Sequence, residues 1–278
     1  MDIDAQFFRE VRQICEHDLP GLITPKPPCQ VWRMLLIGFY GQGFFPSLPI
    51  IEIPMSIFRT CSISVSNYLA QRRNPDVKIF FIGFNKCATT AIHRLMAASG
   101  IRSIHWERGR GKNIALEIEA ALRENRLKEY GRKFTALSDP FYFASDRIIE
   151  ANRYFREFHH TFPNAYFILN DRNVESWIKS RLGHRKGDLL RRFRDFHKAG
   201  EDDVKEIWRN DHASHLKDVL DHFAGHDRFL HFHVDRDPPK VLTDFLAPTF
   251  RIDPDRWTTV NATKVRTVRQ RLFHDSVA

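Results

Sequence analysis

The stretch Lys78–Met96, KIFFIGFNKCATTAIHRLM, decides how the rest of this chain is read. Ile79, Phe80, Phe81 and Ile82 make an apolar run of strand length, a short turn follows around Lys86, and helical spacing begins near Thr89. Ile92, Leu95 and Met96 fall on one face of that helix, and Gly100 supplies a stop signal. A strand that turns directly into a helix N-terminus leaves several backbone N–H groups without partners, all pointing one way. That is an anion site by construction, and a lysine and two hydroxyls in the turn strengthen it. Taken alone, the segment also reads as an ordinary βα turn that holds a lysine.

A nucleotide-kinase loop needs a glycine immediately before the lysine and another five residues earlier. Those positions hold Asn85 and Phe80, so the kinase spelling fails twice. A second stretch bears on the anion's identity: residues 164–182, NAYFILNDRNVESWIKSRL. Its apolar run ends at Asn170-Asp171-Arg172, and Asn173 can cap a helix that buries Val174, Trp177 and Ile178. Arg172 would project from the strand end and Ser180 from the helix about two turns on. Arginine forks onto phosphate oxygens, and a hydroxyl completes such a cradle. The run ending in Asp171 also looks like the aspartate element that holds Mg²⁺ in P-loop NTPases, which keeps a kinase or NTPase as an alternative.

Around these two stretches the chain alternates strands and helices. Strands are expected at Val77–Ile82, Arg102–Trp106, Phe134–Leu137, Tyr166–Leu169 and Phe229–Val234, and helices near 89–99, 112–129, 146–160, 174–198 and 202–224. A final helix opens at Pro238-Pro239 and holds Val241, Leu242, Phe245 and Leu246. The alternation predicts an α/β fold, a mainly parallel sheet with helices on both faces. Ligands bind such sheets beyond the carboxyl ends of the strands. After the second strand stand His105, Trp106 and Glu107, and either His105 or Glu107 could act as a general base. A packed His105 and a Glu107 paired with Arg108 are the plainer readings. After the third strand comes Ser138-Asp139-Pro140-Phe141-Tyr142-Phe143, where Asp139 could orient an acceptor, serve as the base, or simply open a turn.

Both anion motifs resemble those of sulfotransferases that use 3′-phosphoadenosine 5′-phosphosulfate, including bacterial and Golgi-type glycan enzymes. Their phosphosulfate loop, Gly-x-x-Lys-x-Gly-Thr-Thr after a strand, is matched at Gly83, Lys86, Thr89 and Thr90; the intervening positions are Cys87 and Ala88, the latter replacing glycine. Alanine there needs a negative φ or some strain. Arg172 and Ser180, eight residues apart with the tryptophan between them, resemble the family's 3′-phosphate motif. The resemblance spans roughly Asp76 to Lys264 and implies a P-loop NTPase-like fold with residues 76–278 as the sulfotransferase domain. It implies that Gly83, Lys86, Cys87, Ala88, Thr89, Thr90, Arg172 and Ser180 bind the cofactor, that Lys86 stabilises the leaving oxygen, and that no metal is required. Glu107 sits near the spacing of the Golgi-type base, and His105 resembles a Tyr-His element of bacterial relatives. The Ser138–Phe143 segment is similar to a Lys-x-Pro-x-Tyr-Phe element, with Asp139 near where the family has lysine. These departures keep open a third possibility, a degenerate module that binds the nucleotide without turnover.

Composition bounds the rest. The 278 residues suffice for one large α/β domain with an appendage, and 43 Lys+Arg against 34 Asp+Glu give +9 and a pI near 9.5. That balance suits an anionic cofactor or acceptor, nucleic acid or an anionic membrane surface. Arg181–Lys198 is strongly basic and reads as a lid for anions or as a solvated helical face, while Phe193 and Phe196 look like core contacts rather than base-stacking platforms, so nucleic acid is not expected. Cys15, Cys29, Cys61 and Cys87 are widely spaced, which favours neither zinc nor disulfides and suggests a reducing, cytoplasmic setting. The late histidines, His212, His215 and His222 among them, lack zinc-protease spacing and are expected to be solvated or partly buried. Residues 1–75 read as a partly helical, proline-rich extension with a helix near Ala5–Glu16 and no signal peptide. Met34–Ile51 is uncharged but holds three glycines and two prolines and falls short of the roughly 20 residues of a spanning helix, so packing or a peripheral membrane contact is expected. Met55 is a plausible start site. The acceptor, a small molecule, lipid or glycan with a hydroxyl or amine, leaves no short signature.

Overall fold

The apolar runs pair as parallel strands. A computed structural model describes residues 55–258 except 110, 145 and 146; the expected helix near Ala5–Glu16 and the Met34–Ile51 stretch lie outside the described residues. The elements are α1 (Met55–Arg73), β1 (Ile79–Phe81), α2 (Thr89–Ala98), β2 (Ser103–His105), α3 (Ile114–Arg123), α4 (Leu127–Tyr130), β3 (Ala136–Ser138), β4 (Phe141–Phe143), β5 (Ile148–Glu150), α5 (Phe155–Thr161), β6 (Tyr166–Asp171), α6 (Val174–Leu182), α7 (Asp188–His197), α8 (Glu201–His222), β7 (Phe229–His233) and α9 (Pro239–Leu246). The main sheet runs β2-β3-β1-β6-β7, every pair parallel, and helices cover both faces, as the strand–helix alternation predicted. β1 lies centrally, with β3 on one side and β6 on the other. The strand order therefore reverses at β1, and the carboxyl ends of β1, β3 and β6 open on one crevice.

Period-two alternation along β1 divides the core. Phe80 faces one side and stacks on Phe158 (centroids 4.6 Å apart, planes at 5°) and on Phe167 at 5.4 Å, within a cluster that takes in α3, α5 and α8. Ile79 and Phe81 face the other side, against Ile92, Leu95 and Met96 of α2 and Leu242 and Leu246 of α9. A third cluster, with Phe84, Cys87, Trp177, Phe193 and Trp208, fills the space behind the β1–α2 loop. α1 is tied to this body by polar groups. The Asn67 amide donates to the carbonyls of Ser99 and Arg251, both at 2.7 Å, and Gln71 accepts from the Arg102 N–H and the Thr135 hydroxyl. No helix among the described residues is long and apolar enough to cross a membrane.

Several expected helices are shorter than the periodicity suggested. The 112–129 helix is two, α3 and α4, with Asn125 at φ 52 between them. The expected helix at 146–160 is largely absent: Ile148–Glu150 instead pairs antiparallel with Phe141–Phe143, and only Phe155–Thr161 is α-helical. Strands of three residues are too short for alternation to declare them. The 174–198 helix breaks where Arg185 (φ 48) and Lys186 (φ 59) turn left-handed, separating α6 from α7. Phe196 is exposed rather than a core contact, as is Leu220 on α8, because both fall just off the buried stripe of their helices.

Candidate functional site

The loop between β1 and α2 is held from behind. A Cβ on Gly83 would lie 1.9 Å from the Asn170 carbonyl oxygen, so only glycine fits. The Gly83 N–H donates to Asn170 Oδ1 (3.0 Å), and Asn170 Nδ2 donates to the Cys87 carbonyl (2.8 Å), so one buried amide spans the loop. Asn85, which breaks the kinase spelling, is anchored too. Its carbonyl accepts from Trp177 Nε1 (2.9 Å) and its side-chain oxygen from Arg181 Nε (3.0 Å). Arg181 belongs to the basic run read as a lid or solvated face. It is instead fully buried, paired with Glu150 at 2.8 Å and packed over Trp177 and Trp208, because the hairpin brings Glu150 to meet it.

The loop's carbonyls at residues 85–87 and its glycine are tied back. The N–H groups of residues 84–89 find no acceptor among the described residues. Lys86 (φ 70) and Ala88 (φ 57, ψ 18) adopt the left-handed region, so the alanine takes the strained geometry that glycine would adopt freely. Thr89 is buried and Thr90 half-buried at the start of α2. Lys86 Nζ is 3.4 Å from His184 Nδ1. Burial lowers the Lys86 pKa, Asp139 opposes that shift, and Arg172 adds to it. Cys87 is buried, and burial pushes its thiol up, which leaves its backbone rather than its sulfur for the site.

The end of β3 delivers Asp139 beside this loop, and the end of β2 delivers His105. His105 Nε2 is 3.4 Å from Thr90 Oγ1 and 3.7 Å from Asp139 Oδ2, while its Nδ1 is 3.2 Å from Ser138 Oγ. Burial pushes the Asp139 carboxyl up to about 6 against the pull of Lys86, Arg181 and a hydrogen bond from the Thr89 side chain, and its Oδ1 is buried without a geometric hydrogen-bond partner among the described residues. Burial pushes the His105 imidazole down to about 4, so it is neutral at pH 7. His93 stacks on it with centroids 5.3 Å apart. Glu107 does not join the group. Its carboxylate makes no hydrogen bond or ion pair among the described residues, and the expected pairing with Arg108 is absent because Arg108 forks onto Glu117 (2.8 and 3.2 Å).

β6 carries the residues expected to form the second anion position. Arg172 Nη1 donates to the Lys86 carbonyl (3.2 Å), joining the two loops, and its Nε and Nη2 fork onto Asp235 (3.4 and 2.8 Å). Asn173 caps α6 through the Glu175 and Ser176 amides. Ser180 is half-buried on the same helix, and its hydroxyl makes no hydrogen bond among the described residues. Asp171 is engaged elsewhere. Its oxygens accept from His212 (2.8 Å), His231 (3.1 Å) and the Arg172 N–H (2.7 Å), and these bonds hold the carboxyl well below its usual range despite burial. His212 and His215 are thus buried partners rather than solvated residues. Among the described residues no group of three or more His, Cys, Asp or Glu is arranged to hold a metal ion.

Sequence reasoning missed Asn170, His184 and Asp235. Asn170 meets Gly83 across 87 positions, and no local pattern marks such a pairing. A hydroxyl-bearing anion loop, a neighbouring carboxyl–imidazole pair and an arginine that bonds back to the loop can together hold a diphosphate-like group and a second phosphate, and accept a proton between them. Comparison with curated proteins gave no significant match. The family model described as "Sulfotransferase domain" matches residues 78–247, which takes in every strand of the main sheet and both expected anion positions. That match covers more than half of the chain, which therefore belongs to the sulfotransferase domain family.

Proposed function

We propose that this protein transfers a sulfuryl group from 3′-phosphoadenosine 5′-phosphosulfate to a hydroxyl or amine of a small-molecule, lipid or glycan acceptor. The observation that carries the reading is the hydrogen bond from Arg172 to the Lys86 carbonyl, which sets the two anion positions side by side at the switch point of the sheet. The residues suit this donor: the uncommitted amides of the Gly83–Thr89 loop, the Lys86 ammonium and the Thr89 and Thr90 hydroxyls for the phosphosulfate, and Arg172 and Ser180 for the 3′-phosphate. The donor supplies a sulfur bonded to a good leaving phosphate. Lys86 and the loop amides stabilise charge on the departing oxygen, and such preorganised donors are commonly the largest catalytic contribution.

For the proton we favour the Asp139–His105 pair over Glu107. A carboxyl near 6, buried and with one oxygen lacking a geometric hydrogen-bond partner among the described residues, is poised to take a proton at neutral pH. Neutral His105 keeps Asp139 and Thr90 in register. Asp139 also accounts for the missing family lysine, since it trades a cation for a base while Lys86 remains as the cation. The kinase alternative is weakened by Asp171, whose carboxylate is already taken by two histidines and a backbone amide. Thermal stabilisation by adenosine 3′,5′-bisphosphate tests the reading. A larger shift with bisphosphate than with adenosine 5′-monophosphate or ATP plus Mg²⁺ is expected, and preference for ATP with metal would overturn it.

A further inference from the structure

Asp235 holds the donors that a 3′-phosphate would need. It lies just past β7, and Val234 ties that segment to β6 through a hydrogen bond to the Asp171 carbonyl (2.8 Å). One Asp235 oxygen accepts from Arg172 Nη2 at 2.8 Å. The other accepts from Arg172 Nε at 3.4 Å and from the Asn173 N–H at 3.1 Å. The Asn173 N–H opens α6, a helix of nine residues, where an anion is favoured. A forked guanidinium with a helix-start amide is a phosphate-binding donor set, and here it is filled by a carboxylate of the chain itself. The pair is partly exposed, 23% for Arg172 and 33% for Asp235, so the contact is open to solvent and weak enough to exchange.

We propose that Asp235 is an internal stand-in for the donor's 3′-phosphate, a specificity residue displaced from Arg172 and Asn173 when the nucleotide binds. The proposal rests on the sulfotransferase reading above and gives the segment between β7 and α9 a part in donor selection. In the free protein Asp235 holds the guanidinium extended toward the Lys86 carbonyl, so the arginine is preorganised. Its charge also sets a threshold: a weaker anion does not compete for the fork, whereas a phosphate dianion does. Nucleotides that carry a 3′-phosphate must remove Asp235, and nucleotides without one leave it in place.

Calorimetric titration of the full chain with adenosine 3′,5′-bisphosphate and, separately, adenosine 5′-monophosphate tests this. Asp235→Asn keeps the shape and removes the charge, and should tighten bisphosphate binding about tenfold while leaving monophosphate affinity nearly unchanged. Asp235→Glu, which restores the charge, should return bisphosphate affinity toward that of the unmodified protein, and matched thermal midpoints verify that both variants fold. Weaker bisphosphate binding in Asp235→Asn would overturn the proposal by making Asp235 an organiser that stays in place. Equal tightening of both nucleotides would overturn it by reducing the effect to bulk charge. An unmodified protein that does not prefer bisphosphate over monophosphate would instead remove the sulfotransferase reading itself.

Discussion

Replacing Asn170 by alanine should loosen the anion loop more than any other single change outside the apolar core. Asn170 is fully buried at the end of β6, and its side chain makes two hydrogen bonds of 3.0 and 2.8 Å that connect the first residue of the loop to the residue after Lys86. Each contributes about 1 kcal/mol net, and the truncation leaves the Gly83 N–H and Cys87 carbonyl buried without partners, at about 1–3 kcal/mol each. Because the orphaned-group cost replaces the net bond contribution rather than adding to it, the two groups together predict a loss of about 2–6 kcal/mol, a large share of a typical 5–15 kcal/mol stability. Asn170→Asp refines the test. It can still accept from Gly83, but it sets a carboxylate oxygen against the Cys87 carbonyl, so it should cost a similar amount near pH 7 and less once protonated. Urea unfolding of the three proteins supplies the free energies, and bisphosphate titration reports the loop. A loss below about 1 kcal/mol in Asn170→Ala, with unchanged nucleotide affinity, would refute the clamp.

Other substitutions separate strain, charge and chemistry. Ala88→Gly removes an alanine from φ 57 and should leave stability unchanged or raise it by about 1 kcal/mol in denaturant titration, the relieved strain offsetting glycine's greater unfolded-state freedom. Asp139→Asn should lower turnover about 10²–10⁴-fold, whereas Glu107→Gln should leave it nearly unchanged, and the pH profile of the unmodified enzyme should fall below pH 6 as Asp139 takes its proton. Thermal midpoints should drop as pH falls from 6.5 toward 4. In that window burial keeps His93, His105 and His215 neutral in the fold down to about 4 while the unfolded chain binds protons, at up to about 3 kcal/mol for each of His105 and His215. Asp139 acts oppositely, since its carboxyl is raised and its protonated form favours the fold, but one carboxyl does not offset the histidines. A midpoint that stays level from pH 7 to pH 4.5 would contradict these burial assignments.

The layout of the site was legible where its residues are neighbours in sequence. Lys86, Thr89 and Thr90 lie within one strand–turn–helix and Arg172 and Ser180 within another, so each set could be proposed from local spacing together with its resemblance to the family's motifs. The parallel sheet followed from alternation, which also located the carboxyl ends at which Asp139 and His105 stand. What spacing did not carry was the relation between units. Asn170 over Gly83, Arg172 to Lys86, Glu150 beneath Arg181 and Asp235 in the arginine fork are contacts between chain segments far apart; the first two and the last exist because β1, β6 and β7 are neighbours in one sheet, and the third because the β4–β5 hairpin folds Glu150 against α6. The choice among His105, Glu107 and Asp139 was of that kind as well. All three stand at or just past strand ends, and the proposed preference for Asp139 rests on its burial beside His105, a packing relation that local sequence does not carry. The hairpin that supplies Glu150 was hidden by its brevity, and the break at Arg185-Lys186 by residues that rank as ordinary helix formers.

The most direct measurement of the central claim is transfer of radiolabelled sulfate from 3′-phosphoadenosine 5′-phosphosulfate to a mixed pool of phenolic, lipid and glycan acceptors, made with the unmodified protein and with Lys86→Ala. Labelled product from the unmodified protein and its loss in Lys86→Ala are predicted, with the variant's thermal midpoint retained. Undiminished transfer by Lys86→Ala, or bisphosphate binding by the unmodified protein with no label moved to any acceptor, would contradict it.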